Sequence, residues 1–463
     1  MASIEKRVTS KGAPAYIVKW RTPDDQHRTR GGFATKRAAE AYKTEVEAAL
    51  LKGLAFDPSA GKVTFREVAQ EWLESRHDLK VTTLAGHRAA LAPAATRRGD
   101  GKILGIDAVF GGYPLNKITR PYISAWVQKM IAVGKKPSTV RHAYFLVRMV
   151  LAQAVADGRL ASNPADYVKL PSETSAQGGS PGVVDDPAQF LTAAQVSALV
   201  AATPWPYNVY VHLAAWAGLR AAELCGLQVG NVELPPPSMN PNARPKPGLL
   251  RVERTSRVVG KEQVYLAPKT KGSRRRVPLT VETTELLRDY LTAHPRADTP
   301  TAPLFPGMVL GAWRPKGLRV VSADGSAATR DPKAIARRQA SALAQSTVAD
   351  AEGRLVLHWE EPLRHMTFYK AVYRPAVIRA NALTPGMVLS PELKFHSLRH
   401  TYASLCVAAG IPPLEIARFM GHAKVTTTLT VYAHLFDDDH ADAMTALGAM
   451  SIQHAGNVVS LWG

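Results

Sequence analysis

Residues 172–187 read SETSAQGGSPGVVDDP, a run rich in Ser, Gly and Pro with the apolar period of neither a helix nor a strand. Such a run has too little apolar surface to sit in a core, so it divides the chain into separately folded parts. The length of 463 residues agrees, because roughly 150 residues per domain suggests about three domains. We assign residues 174–189 as a linker and read each side of it on its own terms.

Upstream the pattern changes once. In AYIVKWRT, Tyr16, Val18 and Trp20 alternate with Ile17, Lys19 and Arg21, as in a half-buried strand flanked by the turn signals SKGAP and PDD. A further short strand, HRTRGGF, precedes Thr35 as a helix cap and the helical pattern KRAAEAYKTEVEAALLKG, with Gly53 as its stop. Residues 1–58 are therefore expected to form a small three-stranded sheet plus one helix, with basic side chains on the polar face. From Thr64 the period is helical. T-F-R-E makes a capping box through Glu67, and Phe65, Val68, Trp72 and Leu73 follow at helical spacing. KITRPYISAWVQKM is capped at Thr119 with Pro121 in its first turn, and PSTVRHAYFLVRMVLAQAVADG stops at Gly158. Residues 64–173 read as an all-helical domain.

Downstream, residues 190–445 form a larger, mainly helical region interrupted by a strand-like stretch from LLRVER through VYLAPKTKGSRRRVPL. Residues 308–365 are low in hydrophobic period and are expected to be an insertion or long surface loop; residues 446–463 are a tail. The fold class is mainly α with small β-sheets, an α+β chain of three domains.

Charge narrows the partner. Lys plus Arg number 58 against 38 Asp plus Glu, a formal charge of +20, which is the profile of a polyanion binder. A basic membrane-surface protein is the competitor, but no apolar run approaches the roughly 18 residues of a spanning helix, and MASIEKRVTS is no signal-peptide opening. A cytoplasmic DNA binder is expected. Cys225 and Cys406 lie in apolar helical patterns and read as small core residues, with no disulfide framework and no cysteine-based zinc site.

Four motifs occur in order in the last region: WAGLRAAELCGL, APKTKGSRRRVPL, FHSLRHTYASL and GHAKVTTTLTVYAHL. Together they resemble the tyrosine recombinase (phage integrase) family, and the resemblance covers most of the chain. The N-terminal sheet looks like an arm-site-binding domain, the helical unit ending GRLASNP looks like a core-site-binding domain, and 190–445 looks like the catalytic domain. The resemblance implies a site-specific recombinase of a phage or mobile element. Tyr432 is then the nucleophile, leaving a 3′-phosphotyrosine and a free 5′ hydroxyl. Lys269 matches the lysine that protonates the leaving oxygen, with Lys271 as the second candidate. The resemblance further implies a homotetramer that synapses two double-stranded attachment sites and exchanges strands through a Holliday junction. A directionality factor or DNA-bending host protein would assist, and the setting would be the nucleoid of a bacterial cytoplasm. The covalent link retains the phosphodiester energy, so neither ATP nor a metal cofactor is implied.

Chemistry read from the residues points the same way. Strand exchange at a phosphodiester needs a nucleophile, positive charge on the non-bridging oxygens and an acid for the leaving oxygen. Arg220 follows Gly218 and Leu219 at a break between helices, where a guanidinium can project into a cleft. Arg399 lies three residues after His396, so the two share a helical face. Two guanidiniums can grip a phosphate bidentately, and His396 and His422 can add hydrogen bonds and shuttle protons near neutral pH. Rival readings are weaker. His396 and His400 have the i, i+4 spacing of zinc ligands, yet HSLRH lacks a metalloprotease glutamate and Arg399 would repel a dication. A metal-dependent transposase needs separated carboxylates, whereas Asp437, Asp438 and Asp439 form one run. Taken singly, Arg220 beside Glu223 reads as a structural ion pair, and Tyr402 or Tyr432 as a core aromatic. A type IB topoisomerase-like relaxase would use the same chemistry, and the separate N-terminal sheet favours recombination over it. A non-catalytic DNA-binding protein gives no reason for the tyrosine and its cationic set.

Overall fold

The computed structural model describes residues 2–8, 12–22, 25, 27–51, 60–97, 99–172, 186, 189–236, 244, 246–260, 262–268, 273–311, 332–384, 386 and 388–432. The chain falls into two compact units, Met1–Pro181 and Gly182–Gly463.

The first unit opens with strands β1 (Ser3–Val8), β2 (Pro14–Arg21) and β3 (His27–Phe33), antiparallel in the order β1-β2-β3, followed by helix α1 (Lys36–Leu51). The alternation in β2 has the expected cause: Val18 and Trp20 are buried with Ala39, Tyr42 and Val46 of α1. Trp20 meets Tyr42 edge-on at 5.9 Å between ring centroids. On β3, Arg28 and Arg30 are exposed, and the Arg30 guanidinium stands 5.1 Å from the Tyr42 ring centroid. The Thr35 hydroxyl accepts from the Ala38 amide at 3.2 Å, capping α1; Gly53 lies outside the described residues.

Helices α2 (Phe65–Glu74), α3 (Val81–Leu91), α4 (Gly101–Leu104), α5 (Arg120–Ala132) and α6 (Pro137–Ala156) complete the unit. Thr64 and Glu67 form the capping box in both directions, and Phe65, Val68 and Trp72 are buried while Leu73 is partly covered. Thr119 caps α5 through the Tyr122 amide, and Gly158, at φ +72°, turns the chain after α6. Sequence periodicity does not signal α3, because that helix buries Leu91 alone and so has no apolar stripe to read. One buried carboxylate ties this unit together: Asp107 accepts from Arg66 Nε at 2.6 Å, Arg66 Nη2 at 2.9 Å and the Ala94 amide at 2.7 Å.

In the second unit, α7 (Ala193–Ala201) leads to α8 (Tyr207–Trp216), which buries Tyr207, Val209, Tyr210, Val211, Leu213, Ala214 and Ala215 and is thus covered on almost every side. A short helix α9 (Ala221–Leu224) follows. Strands β4 (Val232–Glu233), β5 (Leu249–Val252), β6 (Thr255–Val259), β7 (Glu262–Leu266) and β8 (Arg275–Pro278) come next. They make an antiparallel sheet in the order β4-β5-β8, with Leu250 opposite Val277, and a β6–β7 hairpin with Thr255 opposite Leu266. Helix α10 (Val281–Thr292) packs on α8.

The region expected to be an insertion or surface loop is corrected in part. Among its described residues are strand β9 (Pro306–Leu310), helices α11 (Pro332–Ala344) and α12 (Val348–Gly353), strand β10 (Leu355–Pro362), and the start of the four-residue helix α13 (His365–Phe368). The missed signal is a short one of period two: Leu355, Leu357 and Trp359 are half-buried while Val356, His358 and Glu360 face solvent, and β10 pairs antiparallel with β9. Thr347 forms a capping box with Asp350, and α11 packs on helix α14 (Arg374–Leu383). The chain then runs through α15 (Ser397–Ala408), which packs on α8, to α16 (Pro413–Met420) and α17 (Val425–Tyr432).

Candidate active site

Three arginines from three distant parts of the second unit meet the end of one helix. Arg275 Nε donates to the Phe419 carbonyl at 2.5 Å, Arg399 Nη2 to Met420 at 2.7 Å and Arg220 Nη2 to Gly421 at 3.2 Å. These are successive carbonyls at the C-terminus of α16, where helix geometry leaves acceptors without amide partners and the macrodipole is negative. Gly421 permits this ending, since it takes φ +66°, and a Cβ there would stand 2.8 Å from Arg275 Nη1. Gly218 serves the opposite side. At φ +61° it turns the chain from α8 toward Arg220, its carbonyl accepts from Arg399 Nη1, and a Cβ would run into the Tyr402 ring.

Arg220 is the residue before α9, and its amide and Nη1 both donate to Glu223, at 2.9 Å each. Glu223 is 3% exposed and also receives Arg275, with Nη1 at 3.2 Å and Nη2 at 3.0 Å. Burial pushes this carboxyl up, but the Arg275 charge and hydrogen bond, helped by Arg220, overcome it and hold it down at about 2. Arg399 is buried, and burial followed by the Arg220 charge pulls its guanidinium down to about 9, still cationic at neutral pH. Among the described residues Glu223 is the one carboxylate ion-paired with any of the three. Three guanidiniums against one carboxylate leave a surplus of positive charge, and Arg220, 37% exposed, is its open end. Such a surplus suits an anionic oxygen pair.

Tyr432 lies at the C-terminus of α17, 2% exposed, in a small cluster with Tyr402, Ala403, Cys406, Ile416 and Met420. Burial pushes its hydroxyl up to about 12 against the opposing charges of Arg399 and Arg220. His400 Nδ1 stands 2.9 Å from that hydroxyl. His396, exposed at the entrance of α15, presents its ring 4.9 Å from that of His400, and burial of its inner side with the charges of Arg399 and Arg220 lowers its pKa. His422 Nδ1 pairs with Thr428 Oγ1 at 2.7 Å, and burial plus the Arg399, Arg220 and Arg275 charges pull it down to about 3.

The structure thus brings Arg220, His396, Arg399, His422 and Tyr432 into one neighbourhood, while Lys269 and Lys271 lie outside the described residues. In the DNA-free chain burial first, then the charges of Arg399, Arg220 and Arg275, keep His422 uncharged at neutral pH. Sequence reasoning left three participants without a role. In the sequence Glu223 reads only as Arg220's neighbour, Arg275 is unmarked among three consecutive arginines, and His400 reads only as a zinc-ligand candidate. The i, i+4 spacing of His396 and His400 was the available signal for the last. Among the described residues no three His, Cys, Asp or Glu side chains converge as a metal-holding group.

Residues 249–439 match the phage integrase family model. Over 407 residues the chain is 24% identical to a protein named a prophage phiRv2 integrase of Mycobacterium tuberculosis (strain ATCC 25618 / H37Rv), covering 87% of this chain and 84% of that one. It is 24% identical over 333 residues to the tyrosine recombinase XerC of Mycobacterium sp. (strain JLS), covering 71% and 83%. In fold it is similar to the Tn1549 transposon integrase, solved in complex with a circular intermediate DNA, with a TM-score of 0.51 at 16% identity over 84% of this chain and 99% of that one.

Proposed function

With residues 249–439 in the phage integrase family, the chain is a tyrosine recombinase acting on DNA, and from that premise we propose how its own residues cut and rejoin a strand. The carrying observation is the surplus of guanidinium charge at Arg220 and Arg399 beside the Tyr432 hydroxyl. Arg220 and Arg399 hold the non-bridging oxygens of the scissile phosphate, and His396 and His422 add hydrogen bonds. Tyr432 Oη attacks phosphorus, giving a 3′-phosphotyrosine and a free 5′ hydroxyl, and Lys269 is assigned as the acid for the leaving oxygen. Positioned charge supplies most of the rate in such a transfer, and the phosphotyrosine conserves the bond energy for rejoining.

On this reading the substrate is a pair of double-stranded attachment sites held by four protomers, with strand exchange through a Holliday junction. Residues 64–173 bind the core site, residues 190–445 close on it, and residues 1–58 read accessory sites with the exposed arginines of β3. The charge of +20 and the absence, among described residues, of a helix long and apolar enough to cross a membrane are consistent with such a partner.

A nicked suicide substrate run on a denaturing gel tests the central step. The unaltered chain forms a covalent adduct, and Tyr432→Phe binds the site equally but forms none. An adduct with Tyr432→Phe means that another residue is the nucleophile. A chain lacking residues 1–58 keeps core-site cleavage and loses affinity for full attachment sites, because tethering adds effective concentration rather than chemistry. Unchanged affinity for the full site in a gel-shift titration would remove the accessory-site role.

A further inference from the structure

The proton on Tyr432 Oη must leave as the bond to phosphorus forms, and burial makes its loss to water harder by raising the phenol to about 12. Among the described residues, His400 is the side chain within hydrogen-bond reach of that hydroxyl, with Nδ1 2.9 Å from Oη. Its ring is fixed from three sides. It is carried on α15, lies nearly perpendicular to His396 at 4.9 Å between centroids, and meets the edge of Phe190 at 6.3 Å. Neither other histidine is so placed: His422 Nδ1 is engaged by Thr428, and His396 is exposed and meets the His400 ring rather than the hydroxyl.

Resting on the assignment of Tyr432 as nucleophile, we propose that His400 is the base of the cleavage step. Nδ1 takes the Oη proton while Oη bonds to phosphorus. The bond from phosphorus to O5′ breaks with its electron pair going to O5′, which is protonated by the acid assigned to Lys269. In rejoining, O5′ gives its proton back to that acid as it attacks, Oη leaves, and His400 returns the proton to Oη. Each direction makes one bond to phosphorus and breaks one, moves one proton at Oη and one at O5′, and needs no further reactant.

Electrostatics fit this role. Burial first, then His396, Arg399 and Lys394, hold the imidazole down to about 4, so at neutral pH it arrives uncharged with a lone pair free to accept. An accepting Nδ1 fixes the tautomer, with hydrogen on Nε2. The groups facing the ring are otherwise cationic or neutral, so it is a weak base before DNA binds. The scissile phosphate then brings a negative charge that offsets Arg399 and raises the proton affinity of the ring when the proton must move.

Single-turnover capture of a core-site suicide substrate by the full chain tests this. His400→Asn keeps an acceptor near the place of Nδ1 but cannot take up a proton, whereas His400→Ala removes both. Both variants are expected to slow capture by about 10²–10⁴-fold while core-site affinity and thermal midpoint stay at their unaltered values. A difluorinated tyrosine at position 432, whose hydroxyl is more acidic, should recover part of the loss in the Asn variant and gain less in the unaltered chain. An Asn variant that cleaves at the normal rate would reduce His400 to an aligning contact and overturn the proposal. An Asn defect that the more acidic phenol leaves untouched would do the same. Tyr432→Phe runs alongside: an adduct there sinks the nucleophile assignment itself, a result distinct from the failure of His400.

Discussion

Asp107 and Glu223 are the buried carboxylates among the described residues, one in each compact unit, and they differ in what surrounds them. Asp107 receives one guanidinium, Arg66, whose side chain is largely exposed, and one backbone amide. It is hydrogen-bonded to that one guanidinium, with Arg97 acting at longer range while donating to the Ala90 carbonyl, and it latches loops in an otherwise apolar core of Phe65, Trp72, Phe110 and Trp126. Glu223 sits between Arg220 and Arg275, with Arg399 close by and unmatched by any carboxylate among the described residues. A matched pair stabilises a shape, whereas an outnumbered anion holds cations in place and leaves their excess to a ligand. The surrounding stoichiometry, rather than burial alone, separates the structural site from the functional one.

The comparison breaks most visibly at Glu223. Glu223→Gln leaves Arg275, 6% exposed, beside two other guanidiniums with no counter-charge, and is expected to cost about 3–5 kcal/mol in denaturant unfolding of the second unit. A loss below about 1 kcal/mol would show that the carbonyls of α16 suffice to hold the arginines. The pH dependence has a definite sign. Glu223 titrates near 4.5 when unfolded and at about 2 when folded, so its contribution is present in full above about pH 4.5 and fades as pH falls toward 2. The Gln variant should lack that acid-labile component.

Next in size are Arg220→Ala and Arg399→Ala, each expected to slow cleavage by about 10²-fold or more, roughly 2.7 kcal/mol, as on removing a preorganised donor. Duplex affinity should fall much less, because many other basic side chains share the backbone. Equal losses in affinity and in cleavage would make them ordinary phosphate contacts. Smallest is Asp107→Asn, expected to cost about 1 kcal/mol, since Arg66 is largely in water and the amide keeps part of the hydrogen bonding. Cleavage per bound core site should not change. If it does, the latch in the first unit also shapes catalysis and the contrast drawn above is too simple.

Local chemistry was legible in the sequence and convergence was not. The boxes at Thr64 and Thr119 and the alternation about Val18 and Trp20 are decided by near neighbours, so pattern alone finds them. Arg220, Arg399 and Tyr432 were found through motif order, and their meeting is then seen in the fold. Arg275 cannot be singled out, because three consecutive arginines give three equal candidates and only the β8 register turns the middle one inward toward Glu223 while exposed Arg276 meets half-buried Glu233. Strand β10 escaped because its period-two signal lies after a polar segment and pairs with residues more than forty positions earlier. His400 was visible as a residue, but its partner lies 32 positions away, and spacing on one helix cannot show that.

The three successive carbonyls that end α16 also set an order of events during synthesis. Their arginines lie 201, 144 and 21 positions away. Chains emerge from the ribosome N-terminus first, and folding follows emergence. Residues 1–172, with the basic sheet and the helical domain, are therefore exposed and free to fold while the acceptors for Arg220 and Arg275 are still unmade. The first compact unit is thus complete long before Arg220 and Arg275 find their acceptors, so the arginine cluster is assembled late in synthesis.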